Sequence, residues 1–177
     1  MNDKGGRCLM RIYIPVTLSM LQQFVADGSL RPVSGTAFAV TPKLREAYAD
    51  GDEDELGEVA LREAALASLR LLAGAAEDSG DEMPPRRAVL VADVGDVTLR
   101  PDLDDAVVRI GAPVTTDDVV AAFVDNADAE AQVKAAIEVI DEADLGDEDA
   151  ELTVGDAQDH DLAWYGAQEL PFLLELL

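Results

Sequence analysis

The chain has 177 residues, of which 49% are hydrophobic, and a formal net charge of −24 at pH 7. This length and apolar content predict one folded domain with a sizeable core, and no apolar run is long enough to span a membrane. The charge argues against nucleic-acid binding through phosphate contacts, which requires a patch of Lys and Arg.

The chain begins with a polar, glycine-bearing segment at 1–9, which we expect to be a disordered extension of a domain covering 10–177. This segment lacks the apolar core of an export signal, and the lone Cys8 cannot form an internal disulfide, so we expect a cytoplasmic protein. A strand, RIYIPV (11–16), follows, then a helix, and then a second strand, GTAFAVT (35–41). Two strands joined by a helix over this length are expected to pair in parallel with each other.

The middle of the chain predicts two helices, an acidic loop and two strands. Thr41 is placed to cap a short helix, and the apolar spacing predicts a longer helix over 53–74. The acidic, proline-bearing segment 74–87 predicts a loop. AVLVADV (88–94) has two apolar faces and predicts a buried strand. DAVVRI (105–110) predicts another strand, antiparallel to it because the connection is too short for a crossover helix.

Residues 115–141 admit two interpretations. The apolar spacing fits one long helix capped by Thr115. It also fits a strand, VVAAFV (119–124), followed by a helix from 127 that Asp125 caps. We favour the strand, because Val and Phe crowd it and because Asp125 and Asn126 are typical of a turn.

The last part of the chain predicts a linker and a helix. The acidic segment 141–151 predicts a second loop, LTV (152–154) a short strand, and the remainder a closing helix from about Asp159. Together, the elements predict an α/β domain with a mixed sheet of about five strands flanked by helices.

Three sequence blocks carry a resemblance to a known family. MRIYIPVT from Met10, AFAVTPKLREAYADGDEDELGEVAL and QDHDLAWYGAQELP resemble an uncharacterised family of small acidic actinobacterial proteins. The resemblance covers nearly all of 10–172 and begins at the position of Met10, so the first nine residues depart from the family. No activity, cofactor or partner is established for that family, so the resemblance implies no functional residue.

The common catalytic and metal-binding motifs are missing from the sequence. There is no phosphate-binding glycine loop, and one Cys with one His is too little for a structural zinc site. The acidic run before the long helix matches a calcium loop at Asp50, Asp52 and Asp54. It fails where Glu55 replaces the required Gly and Leu61 the required Glu. The run fits the first turn of a helix better, so we expect no cofactor and only weak, adventitious cation binding.

The only His, the only Trp and one of three Tyr lie together in the C-terminal stretch QDHDLAWYGAQELPFLLELL. On a helix, His160, Trp164 and Gln168 would form one line, with Tyr165 on an adjoining face. One hypothesis is a small-ligand pocket lined by these residues, with His160 and Glu169 as acid–base groups. We favour a docking helix that buries Trp164 and Tyr165 in the core, because no second catalytic group converges on them.

Two functions therefore remain open. The acidity and the lack of catalytic motifs favour a non-enzymatic protein that acts through protein–protein interaction, with a protein partner or with a second copy of itself. The alternative is an enzyme or small-ligand-binding protein with a pocket near His160, Trp164 and Tyr165. The acidic surface itself has two interpretations, a dock for a basic partner and a device for solubility, and the composition favours solubility.

Overall fold

The computed structural model describes residues 9–76 and 83–176, which form an α/β fold of six helices and two antiparallel sheets. The strands are β1 (Met10–Val16), β2 (Ser29–Leu30), β3 (Thr36–Ala39), β4 (Ala88–Val94), β5 (Val97–Leu99), β6 (Val107–Ile110), β7 (Val114–Thr115), β8 (Val119–Val124) and β9 (Ala163–Gly166). The helices are α1 (Leu18–Asp27), α2 (Pro42–Ala47), α3 (Glu53–Ala76), α4 (Glu130–Asp144), α5 (Glu148–Gln158) and α6 (Leu170–Glu175). The predicted extension at 1–9, apart from Leu9, and the centre of the predicted loop at 74–87 lie outside the described residues.

Seven strands form the main sheet in the order β5-β6-β3-β1-β4-β8-β9, and β2 pairs with β7 in a separate small sheet. All five predicted strands are present in the main sheet, and β5 and β9 are additional. Every neighbouring pair is antiparallel, so the prediction of a mixed sheet is wrong. β4 and β6 run in opposite directions as predicted, but β1 and β3 lie between them.

The strands on either side of α1 are neighbours, but they are antiparallel. Tyr13 of β1 lies opposite Phe38 of β3, so the predicted parallel pairing is wrong. After α1 the chain does not cross directly back to the sheet. It passes through β2 and a 3₁₀ turn at Val33–Gly35, in which Ser34 and Gly35 have φ values of 58° and 67°. These left-handed residues redirect the chain, so that β3 enters the sheet from the opposite end.

Helices cover both faces of the main sheet. α1 and α6 pack on one face, where the alternate residues of β1 form the centre of the core. α2 and α3 pack on the other face through Leu44, Leu56 and Ala60. α4 and α5 form an outer pair that packs against α3 near Leu69. The sheet is therefore enclosed except at its edges.

Local capping chemistry explains several helix ends. The Thr41 hydroxyl accepts a hydrogen bond from Leu44 N at 3.1 Å, and Pro42 follows it in the first turn of α2, as predicted. The strand at 119–124 is confirmed in place of one long helix. Asp125, however, does not cap the next helix, because its carboxylate binds Arg87 instead.

The acidic segment 141–151 is helical rather than a linker. α4 continues to Asp144 and α5 begins at Glu148, so only three residues connect the two helices. Asp147 caps α5 by accepting a hydrogen bond from Ala150 N at 2.9 Å. The acids of the first turn lie near the positive end of the helix dipole, which stabilises the helix. The predicted strand at 152–154 is wrong for the same reason, since these residues continue α5.

Gly155 offers a test of the helical assignment of α5. No heavy atom outside the local helix backbone lies within 4 Å of the position that a Cβ would occupy at Gly155. Gly155→Ala should therefore raise the free energy of unfolding by about 0.5–1 kcal/mol, because Ala loses less backbone entropy in a helix. Chemical denaturation followed by circular dichroism measures this. Gly28→Ala is the matched control: space is free there too, but φ is 78°, so a loss is expected.

Candidate functional site

The C-terminal stretch does not form the predicted closing helix. α5 ends at Gln158, β9 then joins the main sheet, and a 3₁₀ turn at Ala167–Glu169 leads into α6 at Leu170. Pro171 lies in the first turn of α6, where a backbone N–H is not needed. Pro171 therefore begins this helix.

β9 separates the aromatic residues that a helix would have grouped. Trp164 lies opposite Phe123 of β8 and is 59% exposed. Tyr165 lies opposite Ala122 and packs, half-buried, against the core beneath α1 and α6. Successive strand residues point to opposite faces, so the two rings cannot line one pocket. The prediction that Trp164 is buried is wrong.

Gln168 and Glu169 belong to the turn that follows β9. Glu169 Oε2 accepts a hydrogen bond from Gly166 N at 2.8 Å. The Gln168 side chain lies over Gly166, where a Cβ would come within 3.1 Å of its amide atoms. The Glu169 carboxylate thus stabilises the turn, and the Gln168 side chain covers Gly166.

His160 lies beside a buried ion pair between Arg87 and Asp125. Both side chains are essentially inaccessible, at 1% and 0% exposure. Arg87 Nε donates to Asp125 Oδ2 at 2.8 Å and Nη2 donates to Oδ1 at 2.7 Å. Nη1 donates to Gln158 Oε1 at 2.8 Å, and Nη2 also donates to the His160 carbonyl at 2.7 Å. The guanidinium therefore ties β4 and β8 to the end of α5 and to the segment that enters β9.

This ion pair was not predicted from the sequence, although the sequence contains a signal for it. Arg87 directly precedes the apolar strand β4, and Asp125 directly follows the apolar strand β8. Because Ala88 lies opposite Val124 in the antiparallel register, the flanking charges meet at the same end of the sheet. Strand pairing is the information needed to see this, and local pattern does not supply it.

A pocket of about 330 Å³ lies over the ion pair. Of the predicted site residues, His160 lines it, whereas Trp164, Tyr165, Gln168 and Glu169 are not among its lining residues. Its walls combine apolar and charged side chains of both signs: Glu58, Leu61, Arg62, Ala65, Arg87, Phe123, Gln158, His160, Asp161 and Leu162. The pocket has room for a small molecule.

A second pocket, of about 430 Å³, lies where β1 passes the start of α3. Burial raises the pKa of the Tyr13 phenol above its ordinary value. Gly57 of α3 permits this close approach, since a Cβ there would lie 3.1 Å from the phenol oxygen. Arg11 and Arg45 also line the pocket, but each forms an ion pair with a carboxylate.

Within residues 9–76 and 83–176, no group of three or more His, Cys, Asp or Glu side chains is arranged to hold a metal ion. The run matched to a calcium loop begins α3 instead, as the sequence analysis favoured. Asp52 Oδ1 accepts a hydrogen bond from Glu55 N at 2.8 Å, and three acids occupy the first turn. None of the described helices has the length and apolarity needed to cross a bilayer.

The last part of the chain is acidic and also carries exposed apolar side chains. No Lys or Arg follows Lys134 in the chain, whereas 13 acidic residues do. Asp159 and Asp161, which directly precede β9, are exposed. Trp164 shares this part of the chain with four other exposed apolar residues, Leu145, Leu152, Phe172 and Leu176. We call residues 135–176, which include most of α4 together with α5, β9 and α6, the acidic C-terminal region.

Comparison with known proteins gives one match. The model of a family of unknown function, DUF6912, matches residues 10–174. The match begins at Met10 and covers nearly the whole chain, which confirms the resemblance to an uncharacterised family. No curated protein and no solved structure matches the chain significantly.

Proposed function

The chain belongs to the family of unknown function DUF6912, and from its own surface we propose that it is a non-enzymatic cytoplasmic protein that binds a basic protein partner. The observation that carries the proposal is the acidic C-terminal region, which contains 13 acidic residues and no Lys or Arg, and in which Trp164 is 59% exposed.

Exposed apolar side chains supply a reason for binding. Trp is the residue type most enriched at the energetic centres of protein interfaces, because it buries a large area and loses little conformational freedom. Each square ångström of apolar surface removed from water contributes about 25 cal/mol. Trp164, Leu152 and Phe172 retain such surface in the free protein.

The charge distribution supplies the chemistry of the partner. The net charge of −24 is unevenly distributed along the chain, since every Lys and Arg lies at or before Lys134. A surface of one sign attracts a partner of the opposite sign and repels acidic proteins and nucleic acids. Solubility alone would not require the basic residues to be confined to one part of the chain.

The proposal predicts binding that depends on salt and on the acids near β9. The probe is a short synthetic peptide rich in Lys, with a Glu-rich peptide of equal length as control. Its affinity for the protein should fall steeply as rising ionic strength shortens the Debye length below about 8 Å. Asp159→Asn/Asp161→Asn should weaken binding several-fold more than Asp27→Asn/Glu46→Gln, which removes the same charge elsewhere. Isothermal titration calorimetry measures both effects.

Two results would contradict this proposal. One is an equal effect of the two charge-neutralised variants, and the other is affinity that does not change across the salt series. If the acidity serves solubility alone, the basic peptide should show no preference for the region near β9. Thermal stability should still rise with added salt, because salt screens the self-repulsion of the chain.

A second candidate function, small-ligand binding, is favoured by the pocket of about 330 Å³ that His160 lines. Pockets of this size accept small organic molecules. A screen of small-molecule fragments tests this candidate. Binding in the pocket is detected as a change in the NMR signals of the His160 imidazole, since His160 is the only His in the chain. A ligand whose binding is lost in Leu162→Trp, which fills the pocket, but kept in Trp164→Ala would favour ligand binding over protein binding.

A further inference from the structure

We propose that the basic partner binds as an extended strand beside β9, so that the sheet of this protein continues into its partner. This inference rests on the proposed function and assigns its partner to one surface. β9 stands at one end of the seven-stranded order, and in the described part of the chain a strand, β8, flanks it on one side only. An edge strand presents N–H and C=O groups with which an extended peptide can pair.

The two edges of the main sheet differ in how open they are to such pairing. β5 forms the other edge, and directly after it come Arg100, Pro101 and Asp102, in which the arginine and the aspartate form an ion pair at 2.8 Å. Charged side chains and proline at an edge are devices that discourage strand addition. Neither β5 (VTL) nor β9 (AWYG) contains such a residue within the strand, but the charges beside them differ. Arg100 and Asp102 beside β5 neutralise each other, whereas Asp159 and Asp161 before β9 have one sign, which suits a basic strand. The structure therefore favours β9 as the edge that accepts a strand.

The side chains around β9 indicate what the added strand should contain. Trp164 and Phe123 form a cross-strand pair on one face of the sheet, and an added strand would place its own residue beside Trp164 on that face. An apolar residue suits this position, because aromatic and β-branched cross-strand pairs stabilise sheets. The exposed Asp159 and Asp161 precede β9 in the chain, and the protein has a net charge of −24, so basic residues in the added strand suit this edge. The partner is thus an extended segment that contains both apolar and basic residues.

A second copy of this chain fits the edge less well. Pairing β9 with β9 would bring together two acidic C-terminal regions, each in a protein of net charge −24. Repulsion between surfaces of like sign opposes such an assembly. Charge complementarity therefore selects a basic partner over self-association.

The test uses the full chain and a synthetic peptide of alternating Val and Lys. A second peptide has the same sequence with its central backbone nitrogens methylated, so it keeps the charge and the side chains but cannot donate ladder hydrogen bonds. Trp164 is the only Trp in the chain, so its fluorescence reports binding at this edge. The unmodified peptide should shift the emission to shorter wavelength. The methylated peptide should bind at least about tenfold more weakly, because several hydrogen bonds are lost.

Two variants locate the binding site. Trp164→Ala should lower the affinity by about tenfold, measured by calorimetry because the fluorescent reporter is lost. The side chain is exposed, so circular dichroism should show an unchanged fold. Tyr48→Ala removes an exposed aromatic ring outside the acidic C-terminal region and should leave the affinity unchanged.

The outcomes separate this inference from the proposed function. Charge-dependent binding that is equal for both peptides and unaffected by Trp164→Ala would overturn strand pairing and leave the proposed function standing. No binding of any basic peptide would overturn both. A dimer in analytical ultracentrifugation that Trp164→Ala abolishes would assign the edge to a second copy and overturn the basic partner.

Discussion

Asp125→Ala should lower the free energy of unfolding by about 3–5 kcal/mol, because it leaves the buried Arg87 guanidinium without its counter-ion. Asp125 accepts three hydrogen bonds from Arg87, two from the guanidinium at 2.8 and 2.7 Å and one from the backbone N at 2.8 Å. Both side chains are buried, so water cannot replace the lost carboxylate. Urea denaturation followed by circular dichroism gives the free energy directly.

The matched control is the exposed pair between Arg11 and Asp93, which joins Nε to Oδ1 at 3.0 Å with side chains 53% and 32% exposed. Asp93→Ala should cost less than about 1 kcal/mol, because solvent screens this pair. Arg87→Met/Asp125→Leu should recover part of the loss, since it leaves no unpaired charge in the interior. Equal losses in Asp125→Ala and Asp93→Ala would show that burial does not set the strength of the pair.

Asp125→Ala should also affect β9, the strand proposed to bind the partner. Arg87 Nη2 donates to the His160 carbonyl, and His160 lies three residues before β9. If Asp125→Ala misplaces the guanidinium, the segment that enters β9 loses this anchor. Hydrogen exchange of the β9 amides should then accelerate more than exchange in β1, which lies at the centre of the sheet.

Local pattern was enough to predict the elements of the fold that local chemistry determines. Thr41 and Pro42 start α2 as expected, and the apolar strands at 88–94 and 119–124 are present. The direction of β3 was predicted wrongly, because it depends on the left-handed turn at Ser34 and Gly35 and on pairing with residues far along the chain. The apolar pattern of a single strand does not show which strand lies beside it or whether the two are parallel.

The candidate site was harder to predict, for a specific physical reason. His160, Trp164 and Gln168 have the spacing of one helix face, but the same stretch contains AWYG, whose residues can equally alternate in a short strand. β8 decides between the two, because it offers β9 a partner for its backbone hydrogen bonds. Tertiary context overrides helical spacing in so short a segment, and Trp164 consequently lies at the surface.

Leu170→Ala should lower the free energy of unfolding by about 2–5 kcal/mol, because it opens a cavity in the core between the sheet and its helices. Leu170 is 1% exposed and belongs to the same cluster as Leu21 and Phe24 of α1. α6 has only six residues and cannot persist by its own propensity. Its attachment to the sheet therefore depends on buried side chains, of which Leu170 and Leu173 are the described examples.

Trp164 and Phe172 are the exposed controls for the buried Leu170. Phe172 lies two residues beyond Leu170 and is 69% exposed. Phe172→Ala and Trp164→Ala should each change the free energy of unfolding by less than about 1 kcal/mol, because surface substitutions leave no cavity. A buried Trp164, as the helical interpretation required, would instead cost about 3–5 kcal/mol on truncation. Denaturation of the three variants side by side thus decides whether Trp164 packs in the core or stays available to a partner.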